Sequence, residues 1–375
     1  MKVLLYSHVF HPSVGGVETV SRALVEGFVA QDVECKVVKQ TTAEGSADTP
    51  FPFEVVRRPS GARVRELLRW ADVVLFNGAS LALQPWVLLL RKPFVWVHVG
   101  YQASCIDGAG WVDGKPAPLT PAASFLFHAR RGGWLRALKD GMKLLLRRGI
   151  AKFGVTRNVA ITEWMNQALP LPRQVQIYNP FPIERFRAAD RDGAEYEFFY
   201  MGRLVQEKGV DTLIRAFARV LACKDGGPRL LLIGDGSARP ALERLVAELG
   251  IGASVCFAGA QSGEGLVDWV AKGMIGVLPS VWYEPMGGVA VELLAAGKSL
   301  IVSAQGGLAE CVGDAGLTFP NGNDEALAAQ MLRVLEDPDL RAGQAAKARE
   351  RAAGFMPGRF VAQYIDMLGG IARKA

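Results

Sequence analysis

Short runs of aliphatic and β-branched residues alternate with amphipathic stretches along almost the whole chain, and few folds accommodate that order. In the first half, strands are expected at residues 2–6, 35–39, 53–57, 72–76, 94–98, 158–161 and 174–178. In the second half they are expected at 197–201, 230–234, 254–257, 275–279 and 300–302. Helical periodicity lies between most of them, as at 17–30, 211–221 and 238–249. Such alternation specifies α/β architecture, with parallel sheets covered by helices on both faces. The 375 residues suffice for two such domains. Asn179-Pro180-Phe181-Pro182 and the polar stretch after it mark a boundary. The expected division is a domain at 1–180, a linker at 181–195, a domain at 196–356 and a closing helix at 357–375 that packs back toward the first domain. Ligands of open parallel sheets sit beyond the carboxyl ends of the strands. Two Rossmann-like domains are therefore expected to face a cleft that holds substrate.

Composition narrows the function classes. Half of the residues are hydrophobic and 21% are charged, which excludes a disordered chain. Cys35, Cys105, Cys223, Cys256 and Cys311 stand singly, so neither a zinc site nor a disulfide framework is indicated, and a reducing compartment fits. The apolar run at the N-terminus is too short for a signal peptide, and no apolar stretch reaches bilayer length. A cytoplasmic location is expected. The net charge of +6 is uneven: residues 1–185 carry 23 Lys+Arg against 14 Asp+Glu, residues 186–375 carry 20 against 23. A basic first half suits an anionic partner. Nucleic acid is not expected, because no nucleic-acid-binding motif accompanies the charge. The glycine- and proline-rich segment 100–121 reads as a long functional loop.

Three strings carry chemistry. After the strand at 275–279 comes a loop containing Glu284, then Pro285-Met286-Gly287-Gly288, with Glu292 about one turn into the helix that follows. Free N–H groups at a helix start, with glycines allowing close approach, make an anion site. Carboxylates beside such a site are tolerated if they face hydroxyls, as on a ribose or hexose; a plain tight turn is the alternative. The second string, Gly202-Arg203-Leu204-Val205-Gln206-Glu207-Lys208-Gly209, follows the first strand of the second half. Its two cations suit a leaving pyrophosphate, or form a solvated basic turn. The third, residues 10–18, sets Gly15 and Gly16 between a strand and a helix, where backbone N–H groups can meet a phosphate or sugar. No GxGxxG follows either first strand, which argues against a dehydrogenase.

Together these strings resemble the retaining glycosyltransferases of family four, which have the GT-B fold. The resemblance rests on the Glu-x7-Glu pair Glu284 and Glu292 with the Gly-Arg-x4-Lys-Gly string at 202–209. Gly-Gly-Val-Glu at 15–18, Gly234-Asp235-Gly236 and Gly306-Gly307 followed by Glu310 also match. It implies that Arg203 and Lys208 hold the donor diphosphate, Glu292 the ribose hydroxyls and Glu284 the sugar hydroxyls. Gly202, Gly234 and the backbone at 286–288, including Met286, Gly287 and Gly288, complete the pocket. His98, which ends the strand at 94–98, matches a histidine placed against the donor sugar. Met286 stands where many relatives have Phe, and Asn179-Pro180 replaces the usual Asn-Gly.

The implied reaction moves a hexose-type sugar from a UDP- or GDP-linked donor to the hydroxyl of a sugar or lipid-linked acceptor, with retention and without a metal or other cofactor. Polysaccharide, lipopolysaccharide or glycolipid synthesis is the implied setting. A nucleotide-sugar epimerase of similar fold and a catalytically silent binding protein are the alternatives. Asp337-Pro338-Asp339 spells the DxD of metal-dependent glycosyltransferases, but it joins two helical patterns far from the phosphate loops, and Pro338 reads as a helix break.

The segment 134–150 is a further candidate. On a helix, Trp134, Leu135, Leu138, Met142, Leu145 and Leu146 share one face, and Arg136, Lys139, Lys143 and Arg147 another. Such a helix either lies on an anionic membrane surface or packs its apolar face on the first domain's sheet.

Overall fold

The computed structural model describes residues 1–8, 10, 15–39, 51–190, 193–224 and 227–374. The chain forms two compact units. One comprises residues 1–110, 117–181 and 357–375; the other comprises 111–116 and 182–356.

In the first unit the strands are β1 (Lys2–Ser7), β2 (Glu34–Lys39), β3 (Glu54–Arg57), β4 (Val73–Asn77) and β5 (Phe94–His98). The two-residue strands β6 (Trp111–Val112) and β7 (Lys115–Pro116) belong to the second unit, and β8 (Arg157–Ala160) and β9 (Gln174–Gln176) return to the first. The first sheet is parallel, in the order β3-β2-β1-β4-β5-β8-β9. The central strands β4 and β5 are buried along their whole length, as near-continuous apolar runs covered on both faces must be. Its helices are α1 (Gly16–Val29), α2 (Gly61–Trp70), α3 (Gln84–Leu89), α4 (Pro121–Gly132), α5 (Trp134–Gly149) and α6 (Glu163–Ala168).

The second sheet is also parallel. Its strands are β10 (Tyr196–Met201), β11 (Leu230–Ile233), β12 (Val255–Gly259), β13 (Gly273–Leu278), β14 (Ser299–Ser303) and β15 (Gly316–Phe319). Their order is β12-β11-β10-β13-β14-β15. This is the doubly wound pattern, which reverses direction between β10 and β13. The helices are α7 (Val210–Cys223), α8 (Arg239–Glu248), α9 (Gly263–Ala271), α10 (Gly288–Ala295), α11 (Gly307–Val312), α12 (Asp324–Glu336) and α13 (Pro338–Ala353). The last helix, α14 (Pro357–Ala372), lies in the first unit and packs on α1, where Val361 fills the space beside Gly27.

Several elements differ from the sequence expectation. The segment 100–121 is not one open loop: β6 and β7 pair antiparallel within it. Residues 182–190, read as linker, belong to the second unit and carry a 3-10 helix, Glu184–Ala189, that buries Phe186 and Ala189. The edge strand β15 was not expected at all. Among the described residues no helix is long and apolar enough to cross a membrane.

Candidate active site

The carboxyl ends of β10 and β13 adjoin where the second sheet reverses direction, and the strings that follow them are tied together. After β10 the chain passes Gly202 at φ +150°, where Tyr200 donates its hydroxyl to the Arg203 carbonyl at 2.8 Å. After β13, the Ser280 hydroxyl and the Val281 and Trp282 amides all donate to the Glu207 carbonyl, at 3.1, 3.1 and 3.2 Å. Gly209, at φ +63°, precedes α7; a Cβ there would lie 2.2 Å from the Pro279 carbonyl oxygen. Only glycine fits a left-handed position against backbone this close.

This stitching sets charge at the strand ends. Lys208 Nζ lies 2.9 Å from Glu284 Oε1 and 5.8 Å from the centre of the Trp282 ring. Glu284 is buried, and its backbone carbonyl accepts the Gly307 amide at 2.6 Å. Arg203 reaches Glu207 at 3.7 Å but stays mostly exposed. Met286 is buried, and α10 begins at Gly288 with Gly287 as its cap residue and no side-chain cap. The first N–H groups of α10 therefore lack a capping side chain beside the Lys208–Glu284 pair. One turn further on, Glu292 is largely withdrawn from solvent, and burial pushes its carboxyl up to about 7, with Arg185 at 3.9 Å holding it from rising further. Gly234 ends β11 at φ +142°, where a Cβ would fall 1.9 Å from the Gly202 carbonyl oxygen. A lysine, an arginine and an uncapped helix start can hold a dianion here, with two carboxylates left to accept hydroxyl protons.

In the first unit, Gly15 caps α1 in an extended conformation and the Glu18 carboxylate folds back over it; Gly16 opens the helix, and a Cβ there would meet none of the described residues within 4 Å. The four residues before Gly15 lie outside the described residues. His98 closes β5, fully buried and stacked on Trp96 with ring centres 4.7 Å apart. Its Nε2 lies 2.9 Å from Asn158 Oδ1, while Asn158 Nδ2 donates to the Ala151 and Pro172 carbonyls, both at 2.9 Å. Those two bonds fix the amide so that its oxygen faces the ring, and Nε2 must carry the proton. Nδ1 is then left as an acceptor, with no hydrogen-bond partner among the described residues. Burial pushes this imidazole down to about 4, so it is neutral at neutral pH.

Two rival sites carry less. Asp337 accepts the Leu340 amide at 2.8 Å and caps α13, with Pro338 in the first turn, so it serves as a helix start. A hollow of about 770 Å³ is lined by Gly273, Met274, Ser299 and Arg349. It opens at the amino ends of β13 and β14, the wrong end of the sheet for a ligand.

The glycosyl transferases group 1 family matches residues 183–351, the span that holds Arg203, Lys208, Glu284 and Glu292. Residues 183–351 belong to that family. An uncharacterized glycosyltransferase of Methanocaldococcus jannaschii is 36% identical over 149 residues, 39% of this chain and 37% of that protein. The chain spans about half or less of the length of most of the curated relatives it matches. Sucrose-phosphate synthase from Thermosynechococcus elongatus superposes with a TM-score of 0.76 at 21% identity, over 100% of both chains. The Anabaena protein HepE in complex with UDP-glucose gives 0.73 at 18%, over 99% of this chain and 100% of that one. The fold is that of the GT-B glycosyltransferases.

The second unit also holds residues that motif reading missed. Arg185, in the 3-10 helix, lies 3.9 Å from Glu292. The β6–β7 hairpin sets Gly114 against the Gln206 side chain, inside the string that carries Lys208. Neither is signalled locally: Arg185 falls in a stretch that reads as linker, and the hairpin strands are two residues each.

Proposed function

We propose that the chain transfers a hexose-type sugar from a UDP- or GDP-linked donor to an acceptor hydroxyl with retention at the anomeric carbon and without a metal ion. One observation carries this reading: Lys208 and Glu284, 2.9 Å apart, lie beside the uncapped start of α10 at the carboxyl ends of β10 and β13. In the proposed reaction the bond between the anomeric carbon and the leaving phosphate oxygen breaks. Lys208, Arg203 and the first N–H groups of α10 take up the charge that appears on the diphosphate. The acceptor oxygen then bonds to the same face of that carbon, and its proton passes to a departing phosphate oxygen. Glu292 and Glu284 take the ribose and sugar hydroxyls, and the family resemblance assigns His98 to the donor sugar. Binding of UDP-glucose by a structural neighbour supports the donor class. The acceptor is a sugar or a lipid-linked sugar, as polysaccharide or glycolipid synthesis requires.

The test is a panel of nucleotide sugars followed by NMR of the new linkage. Lys208→Ala is expected to slow transfer about 100- to 1000-fold with the fold intact. Wild-type turnover in that variant, or an inverted product, overturns the reading. Interconversion of nucleotide sugars without any acceptor would identify an epimerase instead.

A further inference from the structure

We infer that α5 and the segments beside it form a docking surface for an anionic lipid bilayer. Among the described residues, eleven of the twelve exposed large hydrophobic side chains lie between Trp86 and Phe153; Leu249 is the other. Scattered exposed apolar residues are ordinary, but a contiguous patch marks an interaction site.

The faces of α5 show how the patch is held out. Projected at about 100° per residue, the helix has three sectors. Ala137, Gly141 and Leu144 are buried; α5 packs there on α4, with Gly141 leaving room for the Phe125 ring. The neighbouring Arg148 in this sector donates to the Ala103 carbonyl at 3.1 Å. About a third of a turn away stand Trp134, Leu135, Leu138, Met142, Leu145 and Leu146, each more than half exposed and Leu135 87% exposed. The last sector carries Arg136, Lys139, Lys143 and Arg147. The apolar sector therefore does not pack on the sheet: Ala137, Gly141 and Leu144 pack toward α4, and the large side chains of the second sector face outward.

The patch extends beyond α5. A π-helical turn, Ile150–Gly154, follows, with Phe153 86% exposed, and Gly154 lies against Leu88 of α3, next to exposed Leu89. Charge decides the occupant. Residues 128–157 hold nine Lys+Arg against Asp140 alone. An apolar ridge flanked by lysine and arginine, with a tryptophan at one end, fits the interface of an anionic bilayer, where the rings and aliphatic chains enter the headgroup region and the cations meet lipid phosphates. A bilayer-crossing role is ruled out for α5, which is neither long nor apolar enough. The inference stands apart from the proposed transferase reaction and uses none of its residues.

The experiment is co-sedimentation of the full chain with vesicles of phosphatidylcholine alone or mixed with phosphatidylglycerol, at low and high salt. Wild type is expected to bind the mixed vesicles and to release in high salt. Changing Arg136, Lys139 and Lys143 to Glu should weaken binding by at least about tenfold. Changing Leu135, Leu138 and Leu145 to Ser should do the same. All six side chains are half or more exposed or at the rim, so the variants are expected to keep the wild-type unfolding midpoint. Brominated acyl chains should quench wild-type fluorescence more than that of Trp134→Phe, a conservative change that leaves the fold alone. Equal binding to both vesicle types, no binding at low salt, or full binding by either triple variant overturns the inference. So does a wild-type dimer in light scattering that the serine variant turns into a monomer, because a second copy would then cover the face.

Discussion

A Cβ at Gly234 would stand 1.9 Å from the carbonyl oxygen of Gly202, whereas at Gly16 it would meet none of the described residues within 4 Å. Gly234→Ala must therefore push the two strand exits apart and is expected to cost at least about 2 kcal/mol in denaturant unfolding. Gly16→Ala, in the first turn of α1, should change stability by less than about 1 kcal/mol. Glu292 and His98 give opposite pH signatures. An unfolded chain ionises Glu292 near 4.5 and the folded chain at about 7, so the folded state holds the extra proton between those values. Its contribution to stability falls as pH rises through that window, by about 1–3 kcal/mol. His98 shifts from 6.5 down to about 4, so the unfolded state holds the extra proton, and stability falls as pH drops through that range. Unfolding of Glu292→Gln and His98→Gln from pH 4 to 8 checks both: each difference curve from wild type should slope only in its own window, with opposite sign.

At the scale of elements, the central strands were legible because burial on both faces makes their sequences continuous apolar runs, as in Val73–Asn77 and Phe94–His98. The edge strand Gly316–Phe319 was not, because only Phe319 is buried and the rest presents no clear period. The phosphate strings were legible because they need glycine at fixed points between a strand and a helix. Arg185 was not, because its approach to Glu292 depends on how the 3-10 helix packs against α10. Periodicity named the apolar sector of α5 but left open which way it turns; the answer rests on Ala137 and Gly141, small residues that let the helix sit close on α4. Asp337 makes a separate expectation at this scale. As the cap of α13, its replacement by Ala should cost about 1 kcal/mol in thermal or denaturant unfolding. The same variant should turn over normally, and EDTA should not slow the wild type. Loss of activity on chelation, restored by Mn²⁺, would return the DxD to consideration.

At the scale of the molecule, the chain path matters more than either sheet alone. Phe360, Val361, Tyr364 and Leu368 of α14 are buried in the first unit, and Tyr178 meets Phe360 with ring centres 5.7 Å apart. A chain ending after Met356 should leave α1 and the central strand β4 without the helix that packs on them. Hydrogen exchange is expected to speed up in α1 and β4, while β10, β11 and β13 keep their protection; uniform loss in both units would mean that the two fold as one cooperative body. The same connectivity has a consequence during synthesis. A ribosome delivers residues 1–181 first, yet the element that completes their packing arrives only after all of residues 182–356 have emerged. The nascent first unit must wait, with the surface that α14 covers still open, while the later-made unit has all of its own strands and can close first.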